Sequence, residues 1–272
     1  MMTAFVCTNC GYWQRVPGRP AACAVCLDFR HSPPEGGFRF LSPEEAEETV
    51  DCRWSEDANG VTTFHAEPGL GIGPKGYLIR LAGGNLLFEN TPWWSEAALK
   101  FLESQGGVRW VSASHPHAYG ALWRVQERFR PEVIVQVEDL PWTRMFAVSL
   151  PFDDRLEIAP GVTMLHTGGH FAGHAVLHWA ERGILFAGDM LKFHFDSGAV
   201  SGISTHKAFL PRTPMTHAEI RRYRAVVEPL AFTQTYTTFE HAPHGVGTRE
   251  AALGLFDTLL ARPPFFGPVP LQ

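Results

Sequence analysis

Histidines and one aspartate gather at the ends of apolar runs, and that placement constrains the fold of this chain more than any other feature. Val108-Arg109-Trp110-Val111-Ser112-Ala113 runs into Ser114-His115-Pro116-His117. Val162-Thr163-Met164-Leu165 runs into His166-Thr167-Gly168-Gly169-His170-Phe171-Ala172-Gly173-His174. Ile184-Leu185-Phe186-Ala187 ends in Gly188-Asp189, and Tyr236–Phe239 leads to Glu240-His241-Ala242-Pro243-His244-Gly245. The apolar runs read as strands. Two histidines at i and i+2 after a strand can converge on one ion where the chain turns toward the next helix. Glycines before His170 suggest a tight loop that brings it near a ligand. Any one of these residues is as readily a satisfied structural side chain, but four strand ends with the same chemistry point to a metal site.

Between these ends the chain alternates. Val61–Phe64, Tyr77–Leu81 and Leu86–Phe88 read as strands, the last two joined at Gly83-Gly84. Val108–Val111, Val133–Val137, Val162–Leu165, Ala175–Trp179 and Ile184–Ala187 add further strands, and Phe232–Phe239 is β-rich. Helices are predicted over Ser95–Ser104, Ala118–Phe129, Thr216–Leu230 and Arg249–Leu260. Ser42 with Glu45, and Thr216 with Glu219, have the spacing of capping boxes, so a short helix also starts at Pro43. Hairpins in both halves with helices between them predict a sheet-rich α/β domain.

A second metal signal stands at the N-terminus. Cys7-x2-Cys10 and Cys23-x2-Cys26 are separated by twelve residues, and two such turns can aim four thiolates at one point. Cys10-Gly11-Tyr12 and the gap length are similar to the short rubredoxin-type knuckles of rubrerythrins, which would imply iron. Ala24 departs from those knuckles, which have proline directly after the third cysteine. A zinc ribbon is the commoner use of the geometry, so zinc is expected and iron is the alternative. Cys52, alone, reads as a small buried hydrophobe. The Pro/Gly-rich stretch His31–Gly37 reads as a linker, giving a knuckle and linker over 1–36 and a second domain over 37–272.

Over roughly residues 45–272 the chain resembles the metallo-β-lactamase superfamily. The family's His-x-His-x-Asp-His motif corresponds to His115-Pro116-His117-Ala118-Tyr119-Gly120, and its Thr-Pro-Gly-His-x-x-Gly-His loop to Thr167-Gly168-Gly169-His170-Phe171-Ala172-Gly173-His174. Its Gly-Asp corresponds to Gly188-Asp189, and its late Gly-His to His241, with His244 a close rival. The resemblance implies an αββα four-layer sandwich and a first metal site of His115, His117 and His170 with an open position for water. Zinc or iron there would lower the pKa of that water to about 7 and give a hydroxide nucleophile. Asp189 would bridge toward a second metal or orient the hydroxide, while His174 would support a ligand rather than be one. Tyr119 and Gly120 replace the family's second-site Asp and His. Only Asp189 and His241 or His244 remain there, so one tightly held metal is expected rather than two. Tyr119 is a candidate acid toward a leaving group, with a purely structural role equally open. Glu89-Asn90 is placed to brace a histidine ligand by a hydrogen bond.

The implied activity is hydrolysis of a small ester, thioester, lactone or amide. The alternatives are an iron-dependent redox enzyme that uses the knuckle as an electron relay, and a non-catalytic metal-binding descendant. A net charge of −5 without a Lys/Arg run argues against nucleic acid as a partner. The apolar runs are too short for a membrane span. The cysteine pattern fits a reducing, cytoplasmic setting rather than a secreted framework. A small-molecule substrate is the expected partner, and Trp93-Trp94 in a polar context is the candidate exposed patch for a homo-oligomer. Gly71-x-Gly73-x-x-Gly76 spells the dinucleotide fingerprint, but a strand follows it where that mechanism needs a helix. Lys192–Pro214, with His194, His206 and Lys207, reads either as a rim over the metal or as an ordinary surface loop.

Overall fold

The computed structural model describes residues 2–205, 207–208, 215–241 and 248–261. It divides into two compact units, Met1–Phe152 and Asp153–Gln272.

In the first unit, β1 (Thr3–Cys7) pairs antiparallel with both β2 (Trp13–Val16) and β3 (Phe40–Leu41). Helix α1 (Pro43–Thr49) begins at the expected capping box: Ser42 Oγ accepts the Glu45 N–H and the Glu45 carboxylate accepts the Ser42 N–H. Then come β4 (Asp51–Glu56), β5 (Thr62–Glu67), β6 (Gly76–Leu81), β7 (Gly84–Phe88), β8 (Trp110–Ser112), β9 (Glu132–Gln136) and β10 (Leu150–Phe152). They form one seven-stranded sheet in the order β10-β9-β8-β7-β6-β5-β4. Three of its steps are parallel: β7 to β8 and β8 to β9, crossed by α2 (Glu96–Ser104) and α3 (Leu122–Phe129), and β9 to β10. Leu87, Val111, Val133 and Val135 of these strands bury against Leu99, Leu102, Leu122 and Val125 of the helices.

Two expectations fail in this unit. Helix α3 starts at Leu122 rather than near Ala118, because Gly120 at φ +41 separates it from a short 3-10 turn at Pro116–Ala118. Trp93-Trp94 is not a surface patch. Trp93 and Trp94 are 1% and 0% exposed, because Trp13 stacks on Trp93 at 5.5 Å and Phe64 meets Trp94 edge-on at 4.9 Å. The glycine run is also explained. A Cβ on Gly71 would lie 2.2 Å from the Gly11 nitrogen, so Gly71 lets its loop touch the cysteine turn, and β6 starts at Gly76.

The second unit carries β11 (Arg155–Ala159), β12 (Val162–His166), β13 (Ala175–Trp179) and β14 (Ile184–Gly188), then the hairpin β15 (Lys192–Asp196) and β16 (Ala199–Ser204). Helix α4 (His217–Val227), β17 (Gln234–Thr237) and helix α5 (Arg249–Leu260) complete it. The main sheet runs β11-β12-β13-β14-β17. Ile220, Tyr223 and Val227 of α4 and Leu255, Phe256 and Leu259 of α5 bury with Val176, Leu185 and Ala187 of the strands. Each unit thus supplies a sheet layer and a helix layer. Much of Lys192–Pro214 is a hairpin rather than a loop, with His194 Nε2 2.7 Å from Ser204 Oγ across the two strands. His206 and residues 209–214, like His244, lie outside the described residues.

Candidate metal centre

The four knuckle cysteines converge as their spacing predicts. Their sulfurs all lie within 4.8 Å of one another and all four residues are fully buried. Cys7 Sγ is 3.7 Å from Cys26 Sγ, and Cys10 Sγ is 3.6 Å from Cys23 Sγ. A tetrahedral set about 2.3 Å from a metal has edges of about 3.8 Å, whereas a disulfide needs about 2.05 Å. The observed spacings fit the metal. Hydrogen bonds from the other three thiols drive the Cys7 pKa down, and burial drives that of Cys10 up.

His115 and His117 follow β8, with their rings edge to face at 5.2 Å. Ser114 Oγ is 2.7 Å from His115 Nδ1, and Glu89 accepts from that same Oγ at 2.6 Å and from the Ser114 N–H at 2.9 Å. Glu89 therefore reaches His115 through Ser114 rather than directly. Glu89 is buried at the end of β7 in the left-handed region, φ +57, a conformation unfavourable for Glu that its carboxylate contacts and its own N–H bond to the Ser112 carbonyl hold in place.

The two motif departures have different physical characters. A Cβ on Gly120 would stand 2.3 Å from the carbonyl oxygens of both Asn90 and Thr91, so no side chain fits there. Tyr119 sits in the apolar core of the first unit, its ring edge on Phe146 at 5.3 Å, and burial raises its pKa far above the ordinary phenol value. One contact was invisible in the sequence. His31, inside the stretch read as a linker, meets the His117 ring edge-on at 5.4 Å.

In the second unit the loop after β12 turns through Gly168 (φ +63) and Gly169 (φ +84). Tyr223 of α4 donates its hydroxyl proton to the Gly168 carbonyl and accepts the His170 N–H at 3.1 Å. A Cβ on Gly169 would lie 2.3 Å from that hydroxyl, so the glycine lets Tyr223 pin the loop. His170 Nε2 is 3.3 Å from Asp189 Oδ2, both residues being buried. Two ligands about 2.05 Å from a tetrahedral ion stand about 3.3 Å apart, so this pair has the spacing of one coordination edge. His174 takes the Asp189 N–H on Nε2 at 3.1 Å and meets Thr167 Oγ1 through Nδ1 at 2.6 Å, which positions Asp189. His241 stacks on Tyr236 at 4.0 Å with Nε2 3.4 Å from Gln234 Oε1.

Ligand atoms of His115, His117, His170 and Asp189 all lie within 4.8 Å of one another. Among the described residues this group and the four cysteines are the two such clusters. Three nitrogens and one carboxylate oxygen, all buried, suit a borderline-soft divalent ion. His241 and Tyr119 are not members of the group. The sequence singled out these four clustered residues and Glu89. It gave no signal for Ser114 or Tyr223 beyond their place beside a ligand and on a helix, nor for His31.

Known proteins resemble this chain in sequence and in fold. Residues 75–198 match the family model of the metallo-beta-lactamase superfamily. The chain is 25% identical over 247 residues to the uncharacterized protein YmaE of Bacillus subtilis (strain 168), covering 88% of this chain and 89% of that one. The metallo-beta-lactamase FIM-1 from Pseudomonas aeruginosa in the mono-zinc form shares its fold, with a TM-score of 0.56 and 14% identity, covering 78% of this chain and 97% of that one. A metallo-beta-lactamase from Pontibacter korlensis gives a TM-score of 0.55 at 14% identity, covering 76% and 99%. The chain thus has the fold of the metallo-beta-lactamases, with residues 75–198 matching the model of that superfamily, behind an N-terminal four-cysteine cluster.

Proposed function

We propose that this protein is a metal-dependent hydrolase with one tightly held ion, zinc first and iron second, on His115, His117, His170 and Asp189. The observation that carries the reading is the approach of those four ligand atoms to within 4.8 Å of one another. Such an ion supplies Lewis acidity and lowers the pKa of a coordinated water to about 7. The rest is the work of the chain. Glu89 and Ser114 orient His115, Tyr223 sets the His170 loop, and His174 fixes the Asp189 backbone. Asp189, next to His170, is the carboxylate available to orient a water or accept its proton.

Gly120 supports a single ion, because its backbone contacts leave no room for the ligand that a second site would need. A fold relative held in a mono-zinc form is consistent with such a site. Tyr119 belongs to the core in this reading and has no part in the chemistry. The substrate is a small ester, thioester, lactone or amide. Metal analysis of the full chain is expected to find one ion at the histidine centre and one at the cysteines. His115→Ala and His117→Ala should each lose the former together with turnover of an ester and thioester panel. Full metal retention in both variants would overturn the site, and absence of turnover by the loaded parent chain would overturn the activity.

A further inference from the structure

The four-cysteine knuckle lies in the same compact unit as His115 and His117, and hydrogen bonds run from it to the His31 segment, whose ring meets that of His117. From the third and fourth cysteines, the Leu27 N–H bonds the Cys23 carbonyl, the Asp28 N–H the Val25 carbonyl, and the His31 N–H the Asp28 carbonyl. Arg30 closes the turn with a 2.8 Å ion pair to Asp28, the two side chains only 13% and 16% exposed. Asn9, between the first two cysteines, donates from one side-chain amide to Cys26 Sγ at 3.3 Å and to the Ser32 carbonyl at 3.2 Å. His31 Nδ1 accepts the Ser32 N–H at 2.9 Å, which limits rotation of the ring. That ring stands edge-on to His117 at 82°.

The knuckle is itself anchored. Trp13 Nε1 donates to the Pro92 carbonyl at 2.8 Å, and the Tyr12 hydroxyl to that of Trp142 at 2.5 Å. The loop after Cys26 is therefore fixed at both ends, one on the thiolate site and the other on a ring of the histidine pair.

Building on the four-ligand reading above, we propose that the knuckle forms part of the scaffold of the histidine centre, presenting His31 as a positioning residue that sets the ring plane of His117. A ligand ring free to rotate loses entropy on binding an ion, whereas one already wedged in its coordinating orientation does not. Groups that orient metal ligands are typically worth about 10- to 100-fold in metal affinity.

Cobalt(II) added to the metal-free full-length chain reads both sites separately, since thiolate-bound cobalt gives an intense charge-transfer absorption and histidine-bound cobalt a weaker visible band. The parent chain should take one equivalent at each site. His31→Ala should keep the charge-transfer absorption and bind the second equivalent at least 10-fold more weakly, with a shifted visible band at saturation. Asn9→Ala should weaken the same equivalent, and His31→Phe, which keeps a ring edge against His117, should restore most of the affinity. Parent affinity and parent spectrum in both His31→Ala and Asn9→Ala would overturn the proposal. Loss of the charge-transfer absorption in His31→Ala would also overturn it, because His31 would then serve the knuckle instead. A parent chain that takes only the thiolate equivalent is a separate pattern, and it overturns the four-ligand reading along with this inference.

Discussion

Glu89 shows how much of this site rests on single side chains. Its backbone occupies the left-handed region, and its carboxylate receives two bonds from Ser114, which in turn meets His115 Nδ1. Glu89→Gln retains the size but turns one acceptor oxygen into a donor. We expect it to weaken metal binding at the histidine centre by about 10- to 100-fold. Competition with a chelator checks this, and unchanged affinity would mean that Ser114 does not transmit the brace. Gly120 makes the opposite point, since what matters there is the missing side chain. A Cβ would stand 2.3 Å from two carbonyl oxygens at a φ of +41. Gly120→Ala should therefore cost at least about 2 kcal/mol in denaturant unfolding, and Gly120→His should not recruit a second ion despite restoring the motif's residue.

Helix α4 is the element on which the His170 loop depends, through Tyr223. Its start is secured by Thr216 Oγ1 and Glu219, and Lys207 Nζ lies 2.7 Å from Glu219 Oε1. Burial pushes the Glu219 carboxyl up, but Lys207 and the bonds from Thr216 outweigh it and leave the pKa below the ordinary value. The group therefore contributes stability above the unfolded pKa of about 4.3 and loses it as pH falls through the lower folded value. Glu219→Gln should be less stable than the parent at pH 7, and the gap should close in acid; a gap independent of pH would contradict this. Thr216→Ala should cost about 1 kcal/mol, as removal of an N-cap does. Tyr223→Phe leaves the buried His170 N–H without that acceptor, for about 1–3 kcal/mol, and should loosen metal at the histidine centre while sparing the cysteine site.

For the whole chain, thiol reactivity reports the state of the knuckle. Five cysteines are present, four of them in the buried cluster, which leaves Cys52. Burial pushes the Cys52 thiol up to about 12, so it stays protonated and unreactive at neutral pH. An alkylating reagent should label none of the five in the metal-loaded chain, the four cluster cysteines after chelation, and Cys52 only on unfolding. Labelling of Cys52 before unfolding, or of the cluster before chelation, would contradict the assignment. The four-cysteine spacing, the strand-end histidines, both capping boxes and the α/β alternation were legible in the sequence because each is local: a turn, a period or a cap is set by residues a few positions apart. β4, with its mixed polar face, was not legible, because Asp51–Glu56 becomes a strand only by pairing with β5. Nor was the burial of Trp93, which needs Trp13 some eighty residues earlier in the chain to cover it. The sequence by itself determined which atoms can hold metal, since ligand chemistry belongs to residue type and spacing. Only the tertiary structure decided that Tyr119 lies in the core, that Gly120 has no room for a ligand, and that His31 reaches His117, because steric room and contact between distant segments exist only once the chain is packed.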